Sequence, residues 1–239
     1  MIYFLTSSPN ISDTRILNPA NHFIENMKKS LPKRVLKALY ICSDPDLYEI
    51  TDEYGLCLKK AFEDEGFQFD PFLILDHRNM SYLEKLQEMD LVVLAGGHVP
   101  TQNRFFKEIQ LKEKLSVFEG TILGISAGSM NAANLVYAHP NLEGEATSKE
   151  YVRFLEGLGI TNQMILPHYE EIKEAYLDGL HVIKDIAMKD SLHHTFYALL
   201  DGSYILGDSH QEILYGEAYR IQNGHFEKIC EENSKIIVK

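Results

Sequence analysis

The sequence predicts an α/β fold with a mostly parallel central sheet, finished at its C-terminal end by antiparallel hairpins. Three observations predict it. Short apolar runs alternate with amphipathic stretches through the N-terminal part of the chain, as βαβ units require. Two of these runs, 91–95 and 122–125, lead directly into Gly96-Gly97 and Ser126. Central strands of a parallel sheet deliver loops to its carboxyl edge in this way. From residue 197 onward the runs shorten and are separated by Asp201-Gly202, Gly216 and Asn223-Gly224, which are hairpin signals.

Residues 1–5 read as a buried first strand rather than a secretion signal, because no basic leader precedes the apolar run and it stops at Thr6. A helix is expected at 20–29. The second strand spans 35–42 and offers Leu36, Leu39 and Ile41 to the core. Asp44-Pro45-Asp46 then forces a loop, since Pro45 has no amide proton and biases the preceding residue away from helix. Within 51–65, Leu56, Leu58, Ala61 and Phe62 mark a helix packed on the sheet, ended by Gly66. A third strand at 69–75 contains Pro71, and a short one occupies 164–166. A helix is expected at 172–188, then strands at 197–200, 204–206, 213–215, 218–221 and 226–229. No linker or repeat interrupts the chain. Residues 1–239 therefore read as a single domain, with 197–239 as an appended hairpin edge.

At 239 residues and 45% hydrophobic content the chain is long enough for a sizeable core. Acidic residues outnumber basic ones by 35 to 23, a net charge of −12. Such a surface repels phosphate backbones and anionic headgroups. The aromatic residues are dispersed among acids, so no nucleic-acid partner is expected. No run approaches the ~20 apolar residues of a membrane span, and no membrane role is expected. Cys42, Cys57 and Cys230 are odd in number and form no CxxC, which fits a reducing, cytoplasmic setting. A soluble monomer or homodimer is expected. Cys42 reads as a small buried hydrophobe. His193-His194 has no zinc-site spacing with Asp208 or His210, and neither a phosphate loop nor a dinucleotide fingerprint occurs. No metal and no cofactor are expected.

The chemistry points to Ser126. Gly124-Ile125-Ser126-Ala127-Gly128 is a G-x-S-x-G pattern between an expected strand and the helix-compatible run 129–136. A serine on such a sharp turn projects Oγ from the sheet edge, and the next amide points at a developing oxyanion. A tight packing turn with Ser126 as helix cap is the competing reading. A nucleophilic serine needs a base within reach. Among the ten histidines, His168 alone follows a short apolar strand, in Ile165-Leu166-Pro167-His168. An unperturbed imidazole titrates near pH 6.5, suited to taking and returning a proton. An acid must hold its tautomer. Glu143 and Glu145 flank Gly144 between serine and histidine, and spacing does not separate them. The amides of Gly97 and Ala127 are the candidate oxyanion donors.

Leu94-Ala95-Gly96-Gly97, Gly124-Ile125-Ser126-Ala127-Gly128-Ser129 and Leu166-Pro167-His168 together resemble the dipeptidase E and cyanophycinase family of serine peptidases, which share a class I glutamine-amidotransferase-like fold. Order and local context match from Met1 through Gly207, including Ala198-Leu199-Leu200-Asp201-Gly202. The resemblance implies a flavodoxin-like three-layer sandwich, a Ser-His-Glu or Ser-His-Asp triad and hydrolysis of short peptides. It implies that the acid lies in the 143–145 loop, Glu145 preferred over Glu143, with the oxyanion donors on Gly97 and Ala127.

Departures from the family pattern bear on substrate. Typical members carry an arginine-bearing stretch soon after the histidine, whereas this chain has Tyr169-Glu170-Glu171-Ile172-Lys173-Glu174. These acids repel an aspartyl side chain, so Glu170 and Glu171 are expected to favour a neutral or basic N-terminal residue. Exposure at a helix start is their competing reading. His98 replaces a third glycine and is a candidate to line the pocket or bind a substrate carboxylate. The alternative function is a non-catalytic peptide or small-molecule binding protein retaining the same cleft.

Overall fold

The computed structural model describes residues 1–11 and 14–239. Its main sheet has eight strands. β1 (Ile2–Thr6), β2 (Leu36–Ile41), β3 (Phe69–Leu75), β4 (Leu91–Leu94) and β5 (Thr121–Ile125) are mutually parallel and lie in the order β3-β2-β4-β5-β1. β4 and β5 are thus neighbours with flanking strands on both sides, as their apolar runs require.

Alternation along these strands divides the core between the two sheet faces. On one face Phe4, Ala38, Tyr40, Leu91, Val93 and Leu123 pack with Phe23 and Met27 of α1 (Phe23–Ser30) and Leu58 and Phe62 of α2 (Tyr48–Asp64). On the other, Leu39, Ile41, Val92, Leu94 and Ile122 meet Phe105 and Phe106 of α3 (Val99–Glu108) and Leu111 and Leu115 of α4 (Leu111–Leu115). A 3-10 segment, His77–Glu88, adds Leu83 and Leu86 to that second core. Leu56, expected inside, is exposed on α2. It lies about 200° around the helix from Leu58, beyond the stripe that Leu58, Ala61 and Phe62 present to the sheet.

Beyond β5 come α5 (Ala127–Asn131), β6 (Leu135–Tyr137), β7 (Phe154–Glu156), β8 (Met164–Leu166) and α6 (Tyr169–Ile172). The run 129–136, expected to be helical, instead ends its helix at Asn131 and turns into β6, which pairs with β7. The helix expected at 172–188 is also absent. α6 stops at Ile172, and a hairpin of β9 (Tyr176–Leu177) and β10 (Leu180–His181) follows. A π-helical segment, Val182–Ala187, and the short α7 (Met188–Asp190) complete this stretch. Asp178 and Gly179 both adopt positive φ, 53° and 80°, which forms the tight hairpin turn and breaks the helical path.

The C-terminal strands form where expected: β11 (Thr195–Leu199), β12 (Tyr204–Gly207), β13 (Glu212–Tyr215), β14 (Ala218–Gln222) and β15 (His225–Cys230), followed by β16 (Lys235–Ile237). They do not make a single edge. β12, β13 and β16 extend the main sheet antiparallel beyond β1, whereas β11, β14 and β15 join β8 in a separate four-stranded sheet. Buried Glu212 ties β13 to the segment before β8, accepting from Tyr3, Thr161 and Gln163 at 2.7, 2.5 and 2.7 Å. The fold is α/β with mixed sheets.

Candidate active site

β5 delivers Ser126 into a turn with φ 48° and ψ −108°, a sparsely populated conformation for a residue with a side chain. The turn is fixed to the end of β1: Thr6 O accepts from the Ser126 amide at 3.0 Å and from Ser129 Oγ at 2.8 Å. α5 starts at once, Met130 N donating to Ser126 O at 3.0 Å. Gly128 lies so close to β4 that a Cβ there would sit 2.2 Å from Leu94 O. The small residues around Ser126 therefore serve a real close approach of helix to strand.

The Gly96-Gly97 loop leaves β4 beside this turn. Gly97 has φ 150°, and an added Cβ would lie 2.2 Å from Ser43 Oγ. Among the described residues no backbone carbonyl accepts from the Gly97 amide. Ala127 opens α5, so its amide is one of the first-turn donors lacking an intrahelical partner. Buried amides brace the loop from α3. Gln102 Nε2 donates to Ala95 O at 2.7 Å, and Asn131 Nδ2 donates to Val99 O and Gln102 Oε1 at 3.1 and 3.0 Å. Asn103 Nδ2 donates to Asn131 Oδ1 at 2.9 Å. Sequence reasoning missed this network, because polarity makes Gln102, Asn103 and Asn131 read as exposed.

His168 stands in the left-handed region, φ 54° and ψ 42°. Its carboxylate partner is Asp201, whose Oδ1 lies 2.9 Å from Nδ1. Neither glutamate of the 143–145 loop occupies that place. Topology supplies the reason: β8 and β11 are parallel neighbours with Leu166 opposite Ala198, and the chain leaving each reaches His168 and Asp201 within a few residues. Glu145 is engaged elsewhere, with Oε1 2.8 Å from His98 Nε2 and Oε2 accepting from the amides of Asn141 and Leu142 at 2.8 and 2.9 Å. Glu143 is exposed. The Ala198-Leu199-Leu200-Asp201-Gly202 stretch was visible in the sequence, but Asp201 read as hairpin punctuation.

Burial disfavours the charged form of His168, but the hydrogen bond to Asp201 and the charges of Asp201 and Glu171 outweigh it and hold its pKa above the ordinary histidine value. Burial likewise pushes the Asp201 carboxyl up, and hydrogen bonds from His168 and Ser7, with the His168 charge, bring it below the usual range. No hydrogen bond joins Ser126 Oγ to His168 among the described residues. Catalytic hydrogen bonds often tighten only when substrate is bound.

The expected substrate-contacting residues divide. Glu170 is exposed and paired with Lys173 Nζ at 2.5 Å. Glu171 comes to the site: His168, Glu171 and Asp201 each offer a ligand atom within 4.8 Å of the others, which makes this trio a place able to hold a cation. His98, half-buried, spans Thr101 Oγ1 at 2.8 Å and Glu145. The loop bearing Glu145 is also held from the far side, where Asp178 accepts from the amides of Gly144 and Ala146 at 2.8 and 2.9 Å. Cys42 is buried, and burial first, then the nearby Asp76 and Asp44, pushes its thiol up to about 12. His193 and His194 line an open cleft of about 460 Å³ on the second sheet, which contains none of Ser126, His168 or Asp201.

Fold and site together define an α/β protein that presents a serine on a strand-to-helix turn anchored at Thr6 and a histidine–carboxylate pair anchored at the next residue, Ser7. The chain belongs to peptidase family S51, whose model matches residues 3–214, and membership supports peptidase activity as its general class of function. No curated protein matches it in sequence. Solved structures that share the fold include two crystal structures. A peptidase from an acI-B1 Actinobacterium superposes with a TM-score of 0.61 at 16% identity, covering 99% of this chain and 96% of its own. A candidate peptidase E protein from Listeria monocytogenes EGD-e gives 0.60 at 15% identity, covering 95% and 98%. Among the described residues no helix is long and apolar enough to cross a membrane.

Proposed function

We propose that the chain is a serine-type peptidase acting on short peptides, with Ser126 as nucleophile, His168 as general base and then acid, and Asp201 as the orienting carboxylate. The observation that carries this reading is the Asp201 contact to His168 Nδ1, which leaves Nε2 as the free basic nitrogen in a site anchored to the same strand end as Ser126. Nε2 takes the Ser126 proton as Oγ bonds to the scissile carbonyl carbon, and the carbonyl electron pair moves onto oxygen, facing the Gly97 and Ala127 amides. Collapse expels the amine, which leaves with the proton from Nε2. Water then repeats the sequence on the acyl-enzyme. The five parallel strands with helices on both faces fit a flavodoxin-like three-layer sandwich. The free cysteines suit a reducing, cytoplasmic setting.

A fluorophosphonate tests the reading directly: mass spectrometry is expected to find the adduct on Ser126, with peptide turnover abolished in Ser126→Ala and the fold intact. An adduct elsewhere, or full turnover in the mutant, rejects it. The lack of a Ser126–His168 hydrogen bond favours a second reading, a peptide-binding protein that retains the cleft without turnover. Hydrolysis of a single peptide by the wild type, lost in Ser126→Ala, disposes of it.

A further inference from the structure

Ser7 follows β1 directly and is fully buried. Its hydroxyl donates to Asp201 Oδ1 at 2.6 Å and accepts from the His168 backbone amide at 2.7 Å. Asp201 Oδ1 is also the oxygen facing His168 Nδ1 at 2.9 Å. One hydroxyl thus closes a ring joining the histidine main chain, the carboxylate and the imidazole.

The hydroxyl itself has little freedom, because β1 is laced to the turn that carries Asp201. Ser7 N donates to Ser203 O at 3.2 Å, and Gly202 N donates to Ser8 O at 3.1 Å. On the opposite side, His168 holds a left-handed backbone conformation that side-chain-bearing residues rarely adopt. The Ser7 hydroxyl is the acceptor that meets its amide in that conformation. A half-buried carboxylate also needs donors to stay ionised. Ser7 supplies one without adding a charge that competes with the imidazole.

We propose that Ser7 is the positioning residue of the His168–Asp201 pair, its hydroxyl fixing the His168 main chain and the Asp201 carboxylate relative to each other so that Nδ1 keeps its proton and Nε2 stays free. The proposal rests on the serine-peptidase reading for its catalytic consequence, though not for its structural one. Placement errors of about 1 Å are worth roughly a hundredfold in rate, so losing this hydroxyl acts on kcat rather than on substrate affinity. The groups facing the imidazole are Asp201 and Glu171, with buried His139 near enough to sense its charge.

The test compares Ser7→Ala and Ser7→Thr in the full chain. The downfield proton resonance of His168 Nδ1, assigned by its loss in His168→Gln, is followed together with kcat and KM on the dipeptide the wild type hydrolyses fastest. In Ser7→Ala the resonance is expected to broaden or move upfield, with kcat down roughly 10- to 100-fold and KM within about threefold. Ser7→Thr, which keeps the hydroxyl, is expected to restore both. If Ser7→Ala does not fold, Ser7→Cys, similar in volume and a weak donor, carries the same comparison. A lower Tm with unchanged resonance and kcat overturns the proposal by assigning Ser7 a packing role alone. Comparing wild type with Ser126→Ala separates it from the peptidase reading: a His168 resonance that responds to Ser7→Ala, in a wild type with no turnover that Ser126→Ala abolishes, retains the positioning and discards the chemistry.

Discussion

Asp201 Oδ1 lies 2.9 Å from His168 Nδ1, while Glu145, the acid expected there from the sequence, points its carboxylate at His98 2.8 Å away. The two acids therefore have different mutational signatures. Asp201→Asn keeps the shape but loses the charge and favours the wrong imidazole tautomer, so kcat is expected to fall about 10²- to 10⁴-fold with KM little changed. Glu145→Gln and Glu143→Gln are expected to stay within about tenfold of wild type, since neither touches His168. Steady-state kinetics on one dipeptide checks all three, and a larger loss in Glu145→Gln than in Asp201→Asn would reverse the assignment.

The same pair sets the pH dependence. Because the His168 pKa is raised, against its own burial, by Asp201 and Glu171, the imidazolium survives to higher pH and the free base appears later. kcat/KM is expected to climb with pH through an inflection above the ordinary histidine value of about 6.5. Asp201→Asn is expected to move that inflection down. In the folding balance a raised histidine contributes stability that is complete below its unfolded pKa and lost as pH rises through its folded one. Thermal melts should therefore lose a little Tm across that window in wild type and not in His168→Gln. An inflection below 6.5 in wild type contradicts the electrostatics of the site.

Gly97→Ala tests the oxyanion loop. A Cβ there meets Ser43 Oγ at 2.2 Å in a backbone with φ 150°, so the loop must move and carry its amide away. Losing one such donor costs about 10²- to 10³-fold in kcat. Adding Ser43→Gly removes the clash but leaves the backbone conformation unfavourable, so partial recovery is expected. Full activity in Gly97→Ala would show that this amide does not serve the reaction.

How far the sequence could be read follows from which contacts are local. The turn at Ser126 was legible because Gly124, Gly128 and the preceding strand announce it within a few residues, and the placement of His168 because it also follows a strand. The Asp201 contact to His168 was not, since it comes from β11 lying beside β8, a pairing that no local pattern encodes. The misread helix at 172–188 is different in kind: Asp178-Gly179 is the same hairpin signal as Asn223-Gly224, but amphipathic spacing around it hid the turn. Gln102 and Asn131 were invisible because hydropathy cannot foresee that buried amides satisfy one another.

Asp178 makes a prediction about order rather than chemistry. Its carboxylate accepts from the amides of Gly144 and Ala146, pinning the loop that carries Glu145 to the hairpin tip. Asp178→Ala removes both acceptors, and limited proteolysis is expected to nick residues 140–150 faster than in wild type. Equal nicking rates would mean that the Glu145–His98 contact alone holds the loop.

Substrate charge follows from which acid faces the site. Both acids are exposed, but Glu171 lies with His168 and Asp201 in one cluster, whereas Glu170 is occupied by Lys173. An acid beside the reacting group attracts a cationic N-terminal residue and repels an aspartyl one. A unit charge about 4 Å away is worth about 1 kcal/mol in water, the setting of an exposed carboxylate such as Glu171. kcat/KM for Lys-X dipeptides is accordingly expected to exceed that for Asp-X dipeptides, and Glu171→Gln to shrink the ratio about fivefold or more. Glu170→Gln should leave the ratio nearly unchanged, because its charge is already paired at the surface. Profiling a dipeptide library by mass spectrometry against wild type and both variants reads these ratios directly. Preferred cleavage of Asp-X peptides by wild type would sink the argument and require a basic group reaching the cleft from elsewhere in the fold.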